Sequence, residues 1–89
     1  MEPQRVERRS EPRYAVSGEV RISEHGGAMA SFPGQLVEAS ATGFRLRHIC
    51  LTLGSGQLVD FSWPGRSGVA RVVWTRIAGS EAETGFHIL

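Results

Sequence analysis

The chain has 89 residues, 40% of them hydrophobic and 21% charged, and a formal net charge of +1. This is one small domain of ordinary globular composition, without the strong basic excess of a general nucleic-acid coat. One cysteine, Cys50, excludes an intrachain disulfide and a cysteine-built zinc site, and no run nears the ~20 apolar residues of a membrane span.

Residues 1–13 (MEPQRVERRSEPR) carry four Arg, three Glu and two Pro, with only Met1 and Val6 as sizeable apolar side chains. They read as a mobile arm, because so little can be buried and Pro12 turns Glu11 away from helix. No apolar run follows, so there is no signal-peptide pattern and a reducing cytoplasm is the expected compartment.

From Tyr14 the periodicity becomes two. In YAVSGEVRI, Val16, Val20 and Ile22 fall on one face, and Ser17, Glu19 and Arg21 on the other, as a half-buried strand requires. Residues 24–34 contain His25-Gly26-Gly27 and Phe32-Pro33-Gly34 and read as a loop. Residues 35–39 form a short second strand, Ala41-Thr42-Gly43 a tight connection, and Phe44-Arg45-Leu46-Arg47 an alternating third.

After a turn at Leu53-Gly54-Ser55-Gly56, residues 57–63 form a fourth strand ended by Pro64-Gly65. Residues 67–77, dense in Val and with Trp74 near the end, form a fifth. Residues 78–82 are a polar turn and 84–89 (TGFHIL) a sixth strand. No segment sustains a 3.6-residue period with caps. The expected fold is therefore all-β, a small antiparallel barrel or sandwich with little or no helix. Pairing of the first and last strands would remove its exposed edges.

Catalysis finds little support. His25, His48 and His87 lack metal-ligand spacing, and each reads as a surface or partly packed residue. Cys50 shares a strand face with His48, but no third group orients them as a nucleophile pair. Asp60, Glu81 and Glu83 fall at solvated strand and turn positions. The chain is expected not to be an enzyme and to carry no metal or cofactor.

Two clusters stand out. Arg8-Arg9-Ser10-Glu11-Pro12-Arg13 places an R-x-x-x-R spacing from Arg9 to Arg13 just before the first strand. Glu38-Ala39-Ser40-Ala41-Thr42-Gly43 sets a carboxylate, a hydroxyl and a glycine at i, i+2 and i+5 across a strand-to-strand turn. Either alone reads as a solvated tail or an ordinary turn. In this order and strand context they resemble the signature of the PilZ family, Arg-x-x-x-Arg followed by [Asp/Asn]-x-Ser-x-x-Gly. Gly68-Val69-Ala70-Arg71-Val72-Val73-Trp74 and Gly85-Phe86-His87-Ile88 are similar to that family's closing strands, so the resemblance covers roughly residues 7–89.

The resemblance implies a six-stranded antiparallel barrel, with the flexible arm at 1–13 and the barrel at 14–89. It implies a receptor for cyclic di-GMP, often bound as an intercalated dimer on the outer barrel surface with the arm closed over it. Arg9 and Arg13 would then grip phosphates and guanine edges, with Arg8 assisting. Ser40 would donate to the ligand, Gly43 would let the backbone approach, and Trp74 would offer an aromatic face or simply pack. Bidentate arginine matches phosphate and guanine O6/N7 geometry. The partners so implied are the dinucleotide and a downstream protein, with no nucleic-acid polymer and no membrane insertion.

Glu38 departs from the pattern. It keeps the carboxylate but reaches one methylene further. A degenerate barrel that no longer binds the nucleotide and works as a protein-interaction module therefore stands as the alternative. A small single-strand-binding barrel is a third class, needing exposed aromatics on a basic face.

Overall fold

The structure is a computed structural model that describes residues 14–15, 18–27 and 30–89. The arm with Arg8, Arg9 and Arg13 lies outside the described residues. Seven strands follow in order: β1 (Tyr14–Ala15), β2 (Glu19–Glu24), β3 (Phe32–Ala39), β4 (Gly43–His48), β5 (Leu58–Trp63), β6 (Arg66–Ala78) and β7 (Glu81–Ile88). No helix occurs among the described residues.

Every pairing is antiparallel. Following neighbours around, β2 pairs β3, β3 pairs β4, β4 pairs β7, β7 pairs β6, β6 pairs β5, and β5 returns to β2. The result is a closed six-stranded barrel, as expected, but the first strand does not meet the last. Closure runs through Arg21↔Ser62 and Ile22↔Phe61 between β2 and β5. The last strand is instead held between β4 and β6.

β1 is a two-residue extension on the same edge of β3 that β2 uses, with Tyr14↔Ala39 and Ala15↔Glu38. The single first strand expected over YAVSGEVRI is thus broken. Gly18 takes φ 144°, which favours glycine, and its carbonyl accepts the Leu36 N–H at 2.8 Å.

Two further boundaries differ from expectation. Phe32-Pro33-Gly34 belongs to β3 rather than to a turn. Since Leu36 N–H points to the β2 side, alternation aims the Pro33 nitrogen at the β4 side, where pairing begins only at Gln35↔Arg47. The missing N–H therefore breaks no ladder bond. Gly34 serves close packing, because a Cβ there would stand 2.8 Å from Leu46 Cδ1. The β6–β7 turn shrinks to Gly79-Ser80, with Ala78↔Glu81 paired and Gly79 at φ 67°.

Alternation fills the barrel. Val20, Ile22, Leu36, Phe44, Leu46, Val59, Phe61, Ala70, Val72 and Phe86 point inward and are buried, and Leu53 joins them from the β4–β5 loop. Phe44 organises the aromatic part, stacked on Phe86 at 4.7 Å and edge-on to Trp63 at 5.2 Å between ring centroids. His48 is more deeply buried than the surface or partly packed reading expects. It is 4% exposed, and its lining-up with Thr84 satisfies it inside the barrel.

Candidate functional site

The β3–β4 turn is built largely by its own side chains. The Ser40 hydroxyl accepts the Thr42 N–H at 3.4 Å and donates to the Gly43 carbonyl at 3.5 Å, while Ser40 N–H donates to that same carbonyl at 2.8 Å. Such local bonds are the usual reason for serine at a turn. Ile88 N–H donates to Thr42 O, and Arg66 Nη2 to Ala41 O at 3.1 Å, tying the turn to the barrel end. Gly43 is fixed by close approach, since a Cβ there would come 2.6 Å from the Phe86 carbonyl oxygen. Ser40 and Gly43 thus both have duties within the fold.

Glu38 stands in a cross-barrel row. The register runs Ala15↔Glu38 (β1–β3), Glu38↔Arg45 (β3–β4), Arg45↔Gly85 (β4–β7) and Gly85↔Trp74 (β7–β6). β-Bulges at Val37 and Val73 set Glu38 and Trp74 into this row. Cross-strand partners share a face, so Glu38, Arg45 and Trp74 all point outward, Glu38 and Arg45 on neighbouring strands and Trp74 two strands beyond Arg45. The structure brings Glu38 and Arg45 together beside the Ser40–Gly43 turn, while Trp74 stands on β6, two strands from Gly43. Arg8, Arg9 and Arg13 lie outside the described residues, although Arg13 is bonded directly to Tyr14, the partner of Ala39.

Trp74 is 38% exposed and does not belong to the core. Its indole lies across Gly85, where a Cβ would fall within the ring's own volume. One face is thereby packed against β7.

Arg45 was not a candidate from sequence, yet it is central to this wall. Its Nη2 lies 3.9 Å from Glu38 Oε1, and its Nε lies 3.1 Å from Glu83 Oε2. That Nε is sealed from solvent but not lined up on the Glu83 oxygen for a proper hydrogen bond. Glu83 also pairs with Arg76 Nη2. The alternation of Phe44-Arg45-Leu46-Arg47 places Arg45 outward, but only the β3–β4 and β4–β7 registers reveal the two carboxylates it serves. One row further along, Gly43 is opposite His87, and His87 is opposite Arg71.

Other polar clusters lie elsewhere. His25 Nδ1 meets Asp60 Oδ1 at 2.8 Å on an exposed part of the β2–β5 seam. His48 Nδ1 accepts the Cys50 N–H at 3.1 Å, so its other nitrogen, Nε2, carries the proton toward Thr84 Oγ1 at 2.7 Å. Burial lowers the His48 pKa from its ordinary value. Among the described residues no group of three His, Cys, Asp or Glu is placed to hold a metal ion. Among the described residues no helix is long and apolar enough to cross a membrane.

Neither a protein-family model nor a curated protein sequence matches the chain. A solved structure does. The Bacillus subtilis inhibitor of motility (MotI/DgrA) superposes with a TM-score of 0.73 at 16% identity, over 99% of this chain and 47% of that one. The chain thus spans about half the length of that protein. At this identity the likeness is one of fold, and it places the closed six-stranded barrel beside a solved relative in architecture.

Proposed function

We propose that the chain is a PilZ-type receptor domain for cyclic di-GMP, a cytoplasmic adaptor whose surface changes when the N-terminal arm closes on the ligand. The observation that carries this reading is the β1 pairing. Tyr14↔Ala39 and Ala15↔Glu38 set the residue bonded to Arg13 beside the Glu38–Gly43 turn, with Trp74 in the same outer row. The order of the two motifs supports it from sequence. The solved neighbour is named for inhibiting motility, which supports a regulatory rather than catalytic role.

Energetics also favour an arm that closes only on ligand. Ordering about ten arm residues costs about 1 kcal/mol or more each, whereas one charge-assisted hydrogen bond returns about 1.5–3 kcal/mol. Several arginine contacts must therefore act together. Calorimetric titration of cyclic di-GMP into the wild-type chain and into Arg9→Ala/Arg13→Ala tests the model. Saturable binding by the wild type, lost in the double variant with an unchanged circular dichroism spectrum, is the expected result. Equal binding by both would sink the arm model.

A second reading is a barrel that no longer takes the nucleotide and acts as a protein-interaction module. What favours it is the state of the turn, with the Glu38 carboxylate near Arg45 and the Ser40 hydroxyl engaged in its own loop. The same wild-type titration decides between the two.

A further inference from the structure

The arginines of the outer wall differ in how they are occupied. Arg45 faces Glu38 and Glu83, and Arg76 is paired with Glu83. Arg66 spends a guanidinium N–H on the Ala41 carbonyl. Among the described residues Arg71 has no carboxylate within ion-pair distance. It sits between buried Ala70 and Val72 and so points outward, fully on the wall.

Its position is the informative part. Arg71 is opposite His87, and His87 is opposite Gly43, so the three share one row across β6, β7 and β4. His87 follows buried Phe86 and is likewise exposed. Gly43 has no side chain, and the row therefore drops to bare backbone beside the β3–β4 turn. A ligand resting on that backbone meets the imidazole of His87 at its side. The guanidinium of Arg71 starts two strands away, about 10 Å at the usual strand spacing. Arg47 also lacks a carboxylate partner among the described ion pairs, but it lies opposite Gln35, at the far end of β4 from Gly43.

We infer that Arg71, flanked by His87 over the bare backbone of Gly43, forms a second anion subsite on the outer wall that takes a phosphate of the bound cyclic dinucleotide. This rests on the receptor reading above. Cyclic di-GMP carries two phosphodiester charges. Tyr14, the residue bonded to Arg13, pairs with Ala39 on the β3 side of the turn, and on that reading the β6–β7 side is left to meet the remaining charge. Among the described residues Arg71 is held by neither an ion pair nor a side-chain hydrogen bond, and its planar fork suits a phosphate bidentately.

The test is calorimetric titration of cyclic di-GMP into the full chain as wild type, Arg71→Ala, Arg71→Lys and His87→Asn, at two or more salt concentrations. Arg71→Ala should weaken binding about tenfold or more, the loss of one charge-assisted contact. Arg71→Lys should recover part of the loss, and the salt dependence of log K should flatten by about one ion in Arg71→Ala. His87→Asn should cost less than Arg71→Ala. A merely structural residue would move the unfolding temperature and not the salt slope. Wild type that binds, with Arg71→Ala binding equally well and with the same salt slope, overturns the subsite and leaves the receptor reading intact. Wild type that does not bind overturns the receptor reading, and the subsite falls with it.

Discussion

His48 Nε2 lies 2.7 Å from Thr84 Oγ1 inside the barrel, and Thr84 Oγ1 in turn lies 2.9 Å from Thr75 Oγ1. With Nδ1 accepting from the Cys50 backbone, both ring nitrogens are used only while the imidazole is neutral. β4, β7 and β6 are thereby linked through side chains as well as through their ladders. A buried histidine of this kind trades solvent for a fixed tautomer.

Stability should consequently fall in mild acid. The folded-state pKa of His48 is lowered by burial from 6.5, so below that pH the unfolded chain takes up the proton first. The contribution is complete above pH 6.5 and is lost as the pH falls toward the folded value, at no more than about 1.4 kcal/mol per pH unit. Urea unfolding at a series of pH values between 7.5 and 5 measures the slope. His48→Gln should flatten it, and an unchanged slope would assign the acid sensitivity to other groups.

Gly85 exists to admit Trp74. Gly85→Ala should destabilise the barrel by about 1–3 kcal/mol, because the indole must leave the strand it covers. In a Trp74→Ala background the same substitution should cost markedly less. Thermal unfolding of the four proteins in this cycle reads the coupling directly. Additive effects would mean that the two residues do not press on one another.

Phe44 is the centre of the aromatic core, touching Phe61, Trp63 and Phe86. Phe44→Ala should cost about 3–5 kcal/mol, a large part of the stability available to so small a domain. Phe44→Leu should keep the fold with a smaller loss. Equilibrium unfolding in urea compares them, and a loss under about 1 kcal/mol for Phe44→Ala would contradict the packing described.

The Glu38–Arg45 pair predicts a gain of function. Glu38→Asp draws the carboxylate back from Arg45 toward β3, leaving it freer for a guanine edge. Affinity for cyclic di-GMP should rise, by up to about tenfold if one charge-assisted hydrogen bond is improved. Calorimetry against the wild type decides the point. Unchanged or weaker binding would show that the extra methylene of Glu38 is no handicap.

Much of this barrel was legible in the chain itself. Alternation in residues 14–22 and 44–47 separated the two faces of those strands, because a strand's period of two is a local property. Pro64-Gly65 and Gly79 marked turns for the same local reason, and the motif spacing marked Arg9, Arg13, Glu38, Ser40 and Gly43 as candidates. What local pattern cannot carry is the identity of the neighbour. Closure of β2 on β5, the place of β7 between β4 and β6, and the register that puts Arg45 between two carboxylates are all long-range pairings. So are the reasons for Gly34, Gly43 and Gly85, each set by an atom from another strand. His48 reads from sequence as a surface or partly packed residue because its full burial depends on Thr84, thirty-six residues away. The sequence thus determined the faces, the turns and the candidate residues, whereas only the tertiary structure decided which of them meet. A strand's face follows from its own sequence, but its partner follows from the closure of the whole barrel.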